Sequence, residues 1–192
     1  MSGDYLTNPI IFLVKTLFDL YILVVLLRFF LQATRADFYN PISQFVVKLT
    51  SPLLLPLRRV VPPVAGLDTA SLILAWLLKT VELVVITALA GGGLVLWGAL
   101  LMAVPELVES TIDLFFWAIL IQAILSWVSP GTYNPAAALL YSLTLPLLRP
   151  AQRLIPPIGG LDLSPMAVMI GLVLLKMLLL PPLRTLAAAL GG

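Results

Sequence analysis

The chain of 192 residues contains no cysteine and no histidine. Thiol nucleophiles, disulfides, Cys/His zinc sites, histidine-ligated haem and the histidine general base are all excluded. Charge is also scarce. Only 10% of the residues are charged, against roughly 25% in an ordinary soluble domain. A water-soluble globule so poor in polar side chains could not cover its own surface. The net charge of +2, with no basic run longer than two residues, argues against nucleic acid as a partner. No P-loop, nucleophile elbow or dinucleotide fingerprint is present. Gly91-Gly92-Gly93 lacks the Lys-Ser/Thr of a phosphate loop and reads as a flexible connector. No catalytic, cofactor-binding or metal site is expected, and the chain reads as a non-enzyme.

What the chain has in abundance is hydrocarbon. It is 61% hydrophobic, with a mean hydropathy of +1.11. A membrane helix needs about 20 mostly apolar residues to cross about 30 Å. Stretches 10–31, 71–90, 107–128 and 165–183 qualify. The first lacks a basic leader and contains Lys15, Asp19 and Arg28, so it does not read as a signal peptide. The apolar piece 94–104, ending at Pro105, is too short to span. It reads as an interfacial or re-entrant segment, or as an extension of the third helix. The expected division is a first membrane repeat over 1–92, a connector over 93–106 and a second repeat over 107–192. Arg35, Lys48, Arg58 and Arg59 lie between spans one and two, and Arg149 and Arg153 between spans three and four. Basic residues near span ends mark the cytoplasmic side, which places both long loops there. Arg184 near the C-terminus runs against this.

A shift of 94 residues aligns the chain with itself. Residues 19–68 match 113–162 at 19 of 50 positions without a gap. Asp19 falls on Asp113, Tyr39-Asn40-Pro41 on Tyr133-Asn134-Pro135, Arg59 on Arg153, and Gly66-Leu67-Asp68 on Gly160-Leu161-Asp162. Prolines held in register mark a true duplication. The unit is helix, patterned loop, helix. Two copies in the same orientation imply a pseudo-twofold axis along the membrane normal. In the loop, Asn40 is a good N-cap and Pro41 a good first helical residue. Ile42, Phe45, Val46 and Leu49 then recur at helical spacing, with Ser43, Gln44 and Lys48 on the other side. An amphipathic helix in the membrane interface is expected, interrupted at Pro52 and Pro56. Gly66 offers a left-handed turn back into the membrane. Arg58, Arg59 and Arg153 are candidates for lipid headgroups, and equally for simple anchoring.

The spans themselves carry charge, and each charge calls for a partner. Lys15 and Asp19 are one turn apart in the first span, and Lys79 and Glu82 three residues apart in the second. Asp113 lies in the third and Lys176 in the fourth, and the repeat sets Glu82 against Lys176. Asp19, Glu82, Asp113 and Lys176 fall at one depth, roughly 18 Å from the loop ends at 1.5 Å per residue. Asp113 is expected to pair with Lys176, and Asp19 and Glu82 to be neutralised by Lys15 and Lys79. Such pairs either fasten the helices or line an ion or proton pathway. An intramembrane aspartic dyad of Asp19 and Asp113 is disfavoured, because no Gly-x-Gly-Asp precedes either residue.

The run from Phe29 to Lys48 with its continuation Pro52-Leu53-Leu54-Leu55-Pro56-Leu57-Arg58-Arg59-Val60-Val61-Pro62 resembles the signature of the YggT family of bacterial membrane proteins. The second copy resembles it through Leu125-Ser126-Trp127-Val128, Pro146-Leu147-Leu148-Arg149-Pro150 and Gly159-Gly160-Leu161-Asp162. Leu55 departs from the pattern where the second copy has Arg149. The resemblance implies an all-α polytopic protein of the inner membrane, with four spanning helices in two tandem helix–amphipathic loop–helix repeats. It also implies a part in envelope, division or osmotic-stress processes, or in membrane-complex maturation as in plastid relatives. No catalytic residues come with it. Expected partners are membrane lipids and a membrane protein or further copies of the chain; the rival expectation is a small oligomeric channel or transporter subunit.

Overall fold

The structure, a computed structural model, describes residues 4–93, 96–128, 134–155 and 162–191. Six helices follow one another: α1 (Asp4–Ala33), α2 (Pro41–Arg58), α3 (Thr69–Leu89), α4 (Leu96–Val128), α5 (Pro135–Leu154) and α6 (Ser164–Gly191). α1, α3, α4 and α6 are each long and apolar enough to cross a membrane. The fold is all-α, built of two tandem helix–loop helix–helix units. The apolar piece from residue 96 onward is the start of α4, which runs without a break through Pro105. Of the two roles open to that piece, helix extension is the one found. α6 likewise continues through Pro181 and Pro182 to Gly191.

The loop helices also differ from expectation. α2 passes through Pro52 and Pro56 uninterrupted, and α5 through Pro146 and Pro150. A proline in a helix frees a carbonyl in the preceding turn, which must find a donor when water is scarce. Side chains add donors to the carbonyls just before the one at Lys48 that Pro52 frees. Val47 O accepts from Arg28 Nη1 (3.1 Å) and from the Ser51 hydroxyl, and Val46 O accepts from Thr50 Oγ1 (2.7 Å). Asn40 and Asn134 cap the two helices, each accepting from a backbone N–H two residues on (2.9 Å). After α2, Ala65 and Gly66 both take positive φ (52° and 79°). With the paired Val64 and Leu67 they form a tight hairpin turn that returns the chain to α3.

The expected apolar face of α2 is split. Val46 turns to the bundle with Ser43, Thr50 and Leu54, all buried, whereas Ile42, Phe45, Leu49 and Leu53 are exposed. Lys48 and Gln44 point a third way. α2 therefore has one face for protein, one for hydrocarbon and one for water. Its buried face is fastened by Arg28 of α1, only 6% exposed, which donates to Thr50 Oγ1 (2.5 Å). In the second repeat Gln122 stands where Arg28 does, and its amide meets the Thr144 hydroxyl.

The main core joins both repeats: Ile22, Val25 and Leu26 of α1, Leu54 of α2, Leu74 and Ala75 of α3, Leu114 and Ala118 of α4, and Leu143 of α5. α2 and α5 touch each other, and Asn40 Nδ2 donates to Pro135 O (2.8 Å). Both loop helices thus lie at the same end of the bundle. The expected twofold is not closed, however. α3 packs on α4, with Trp76 Nε1 donating to Leu100 O (2.9 Å). A true twofold would repeat that contact between α6 and α1, and among the described residues these helices do not touch. The short connection after Leu89 holds α3 to α4, and nothing comparable holds α6 to α1.

Thr50→Val keeps the shape of a buried side chain but removes an acceptor from Arg28. It should cost about 1.5–3 kcal/mol, the range for a hydrogen bond to a charged group. Thr144→Val, opposite neutral Gln122, should cost nearer about 1 kcal/mol. Thermal unfolding in mild detergent measures both, and equal losses would show that the Arg28 charge adds nothing.

Candidate functional site

The charges in the spans assemble into one band across the bundle. Asp19, Lys79, Asp113 and Lys176 each lie within two residues of the midpoint of their helices. The other members, Lys15, Glu82, Glu106, Glu109 and Arg184, all lie from there toward the helix ends away from the loops. On the α1–α3 side, Lys79 Nζ donates to Asp19 Oδ1 (2.6 Å) and lies 2.6 Å from Glu82 Oε2. That second contact is an enclosed ion pair. Lys15 stands 3.4 Å from Asp19 Oδ2 and 3.8 Å from Glu82 Oε1. On the α4–α6 side, Lys176 Nζ bonds both oxygens of Asp113 (2.8 and 2.9 Å) and sits 2.9 Å from Glu109 Oε1. Arg184 bridges Glu106 (2.9 Å) and Glu109.

Glu106, Glu109 and Arg184 are members that sequence reasoning missed. The expected connector over 93–106 took in Glu106, and Glu109 lay in the expected span 107–128 without being counted among its charges; α4 begins at Leu96 and places both inside one span. Two signals pointed to them. Glu106, Glu109 and Asp113 are spaced three and four apart, on one helical face, and the 94-residue shift sets Glu109 on Lys15. Arg184, which ran against the loop topology, is held by these glutamates.

The members of the band differ in burial. Lys79 and Glu82 are enclosed (2% and 0% exposed), whereas Lys15, Asp19 and Asp113 are 52%, 40% and 44% exposed. The exposed ones border open grooves. A groove of about 660 Å³ between α1 and α4 is lined by Lys15, Asp19, Lys79, Glu106, Glu109 and Asp113, with Leu20, Leu23, Trp117 and Ile121 among its apolar walls. A second, of about 560 Å³ between α4 and α6, is lined by Glu109, Asp113, Phe116, Trp117, Lys176 and Arg184. Among the described residues no cluster of three or more acidic side chains is arranged to hold a metal ion.

The loop residues have separate places. Asn40, Pro41, Asn134 and Pro135 start α2 and α5. Tyr39 is 90% exposed. Arg59, Arg149 and Arg153 are exposed at the loop end, and Tyr133 lies outside the described residues. Arg58 clamps the hairpin by a two-pronged bond to Asp68, which also accepts from Ser71 Oγ (2.6 Å). Gln152 Nε2 donating to Asp162 Oδ2 (2.9 Å) is the second repeat's equivalent. Burial pushes the Asp68 carboxyl up, but the bonds from Arg58 and Ser71 outweigh it and hold it below the usual carboxylate range.

The CCB3/YggT family model matches the chain twice, over residues 7–89 and 101–183. The chain belongs to the CCB3/YggT family. The two matched segments are themselves 94 residues apart, the period of the internal repeat. Among similar proteins, one encoded in the proC 3' region of Vibrio alginolyticus is 48% identical over 86% of this chain and 90% of its own length. A Pseudomonas aeruginosa protein is 46% identical over 91% and 90%. The uncharacterized protein YggT of Escherichia coli strain K12 is 42% identical over 88% of each. No solved structure matches the chain.

Lys79→Met strands the enclosed Glu82 carboxylate and should cost about 3–5 kcal/mol. Adding Glu82→Leu should recover most of that loss in detergent unfolding; simple addition of the two single losses would show the pair uncoupled. Because the Asp68 carboxyl is depressed, its contribution to stability is complete above the unfolded carboxyl pKa of about 3.9. It is lost as pH falls through the lower folded value. The wild type should therefore weaken at pH below about 4, and Asp68→Asn should lose part of that acid dependence in thermal unfolding followed against pH.

Proposed function

We propose that the chain is a non-enzymatic protein of the bacterial inner membrane that organises a membrane partner or lipid, in the service of envelope and osmotic homeostasis or of membrane-complex biogenesis. The observation that carries this is the exposure of ionised side chains halfway along the spans. A charge at the bilayer centre costs about 2.5–3.5 kcal/mol on insertion scales. Charges needed only to fasten the chain's own helices are buried, as Lys79 and Glu82 are. Lys15, Asp19 and Asp113 stay open on grooves between the spanning helices. Such a surface suits another molecule that covers it within the bilayer. The exposed Arg35, Lys48, Arg59, Arg149 and Arg153 gather at the loop end, which the positive-inside bias assigns to the cytoplasm. There the outward stripe of Ile42, Phe45, Leu49 and Leu53 suits α2 to the lipid interface.

The second reading is a small oligomeric ion channel or transporter subunit, favoured by the continuity of the two grooves through Glu109 and Asp113. Purification from native membranes in mild detergent, followed by mass spectrometry, should recover a protein or lipid in stoichiometric amount, and Asp113→Asn should lower its recovery at least about tenfold, about 1.4 kcal/mol of binding. Purified chain in liposomes should pass no ions. Ion flux that Asp113→Asn or Lys176→Met abolishes would overturn the partner-organising function in favour of conduction.

A further inference from the structure

α3 presents one row of side chains to α4. Trp76, Thr80, Leu83 and Thr87 share a helical face; Trp76 Nε1 donates to Leu100 O, and Leu83 and Thr87 line a small cavity with Gly98, Ala99 and Met102. With α4 in place, Lys79, Thr80 and Glu82 are 2%, 4% and 0% exposed. The 94-residue shift carries these three to Val173, Leu174 and Lys176 of α6, which are 38%, 53% and 31% exposed. The groove of about 560 Å³ between α4 and α6 is thus the counterpart of the seat that α1 and α3 give to α4. Its lining residues Phe116, Val173 and Met177 correspond to Ile22, Lys79 and Leu83. A ridge of α4 bearing Glu109, Asp113 and Trp117 separates it from the groove beside α1. The helix that fills the first seat does so with leucines spaced seven apart, Leu100, Leu107 and Leu114, of which the last two pack into the core with Leu74 and Ala75. The same shift sets Leu6, Leu13 and Leu20 of α1 on that row without a change of residue. Leu13 and Leu20 are 58% and 55% exposed, against 6% for Leu114.

We propose that α1 of a second copy seats in the groove between α4 and α6, as α4 seats on α1 and α3 within one chain. Hydrophobicity does not choose between lipid and protein here, because lipid tails are as apolar as Leu. Fit does: the leucine row already fills the equivalent seat once, and a second such row encloses Lys176 as the first encloses Lys79 and Glu82, sparing an ammonium its exposure to hydrocarbon. The same step accounts for α2. α5 sets Leu139 and Leu143, 6% and 2% exposed, against α1. Their counterparts Phe45 and Leu49 on α2 are 61% and 41% exposed. In the second copy they come to lie on α4 beside Ile121, the counterpart of Leu27 and itself 45% exposed. A lone copy leaves that stripe to lipid. Each copy gives its groove to one neighbour and its α1 to another, a head-to-tail contact that closes as a ring in the membrane plane. The proposal rests on the grooves receiving another molecule and names that molecule.

A photo-crosslinking benzoylphenylalanine in place of Met177, in the full chain in native membranes, tests it against the same group in place of Leu175. Leu175 and its counterpart Val81 are 46% and 48% exposed, so that face meets lipid in both repeats. The expected result from position 177 is an adduct of twice the 20.8 kDa chain mass, at least about ten times more abundant than from position 175, with the captured peptide coming from α1. The same probe in place of Leu13 should capture α6 of the second copy. A homodimer adduct of equal yield from positions 177 and 175, or capture of α6 by α6, overturns the interface. Capture of α1 within a single chain overturns the second copy in favour of closure of the internal twofold. An adduct from position 177 with a different protein, or with one enriched lipid class, overturns the second copy while leaving the partner-organising function standing. The same bulk lipid at both positions, with no protein adduct, removes both.

Discussion

The cost of ionised groups in hydrocarbon organises this protein. Nine charged side chains lie within the described spanning helices around the band, five of them carboxylates and four of them cations. None is tolerable there alone, so each constrains where its helix sits and which way it turns. Lys79 must face both Asp19 and Glu82, which sets α3 against α1. Lys176 must face Asp113 and Glu109, and Arg184 the glutamates one turn further on, which sets α6 against α4. Hydrophobic packing has no such preference, because lipid tails are as apolar as Leu. The ion pairs supply the directional terms that a core of Leu, Val and Ala cannot.

The same rule governs the loop end. Arg28 is buried near the end of α1 and takes its partners from α2: a hydroxyl of Thr50, a hydroxyl of Ser51 and the carbonyl of Val47. One buried guanidinium thus docks the loop helix. The second repeat keeps the geometry with weaker chemistry, since Gln122 replaces Arg28 and Gln152 replaces Arg58. The duplication has therefore preserved a shape while redistributing charge. The first half holds the enclosed Lys79–Glu82 pair beside the open Lys15 and Asp19 and the charged Arg58 clamp, and the second half holds the acidic ridge of Glu109 and Asp113.

Much of the fold was legible in the residues. Four runs of apolar side chains of bilayer length, and a gapless repeat with prolines in register, lead to two helical hairpins and to loops at one end. The pairing of Asp113 with Lys176 was legible because few charges were available. Glu106 was not, because the apolar run reads as broken at Pro105 when the helix in fact continues. Proline is a poor guide to helix ends here, since α2, α4, α5 and α6 all run through their internal prolines. The pseudo-twofold was not legible either: a repeat states that two units are alike, but not which face of one meets which face of the other.

What the amino-acid sequence by itself determined is the solvent, the number of crossings and the unit of duplication, because these depend on composition, segment length and periodicity alone. What only the tertiary structure decided is which charges are enclosed and which remain open. Lys79 and Asp113 look alike in a linear reading, each a charge in an apolar helix with an acidic residue within a turn of it. Their burial differs because α3 is covered by α1 and α4, whereas the ridge of α4 lies between two grooves that no helix of the chain fills.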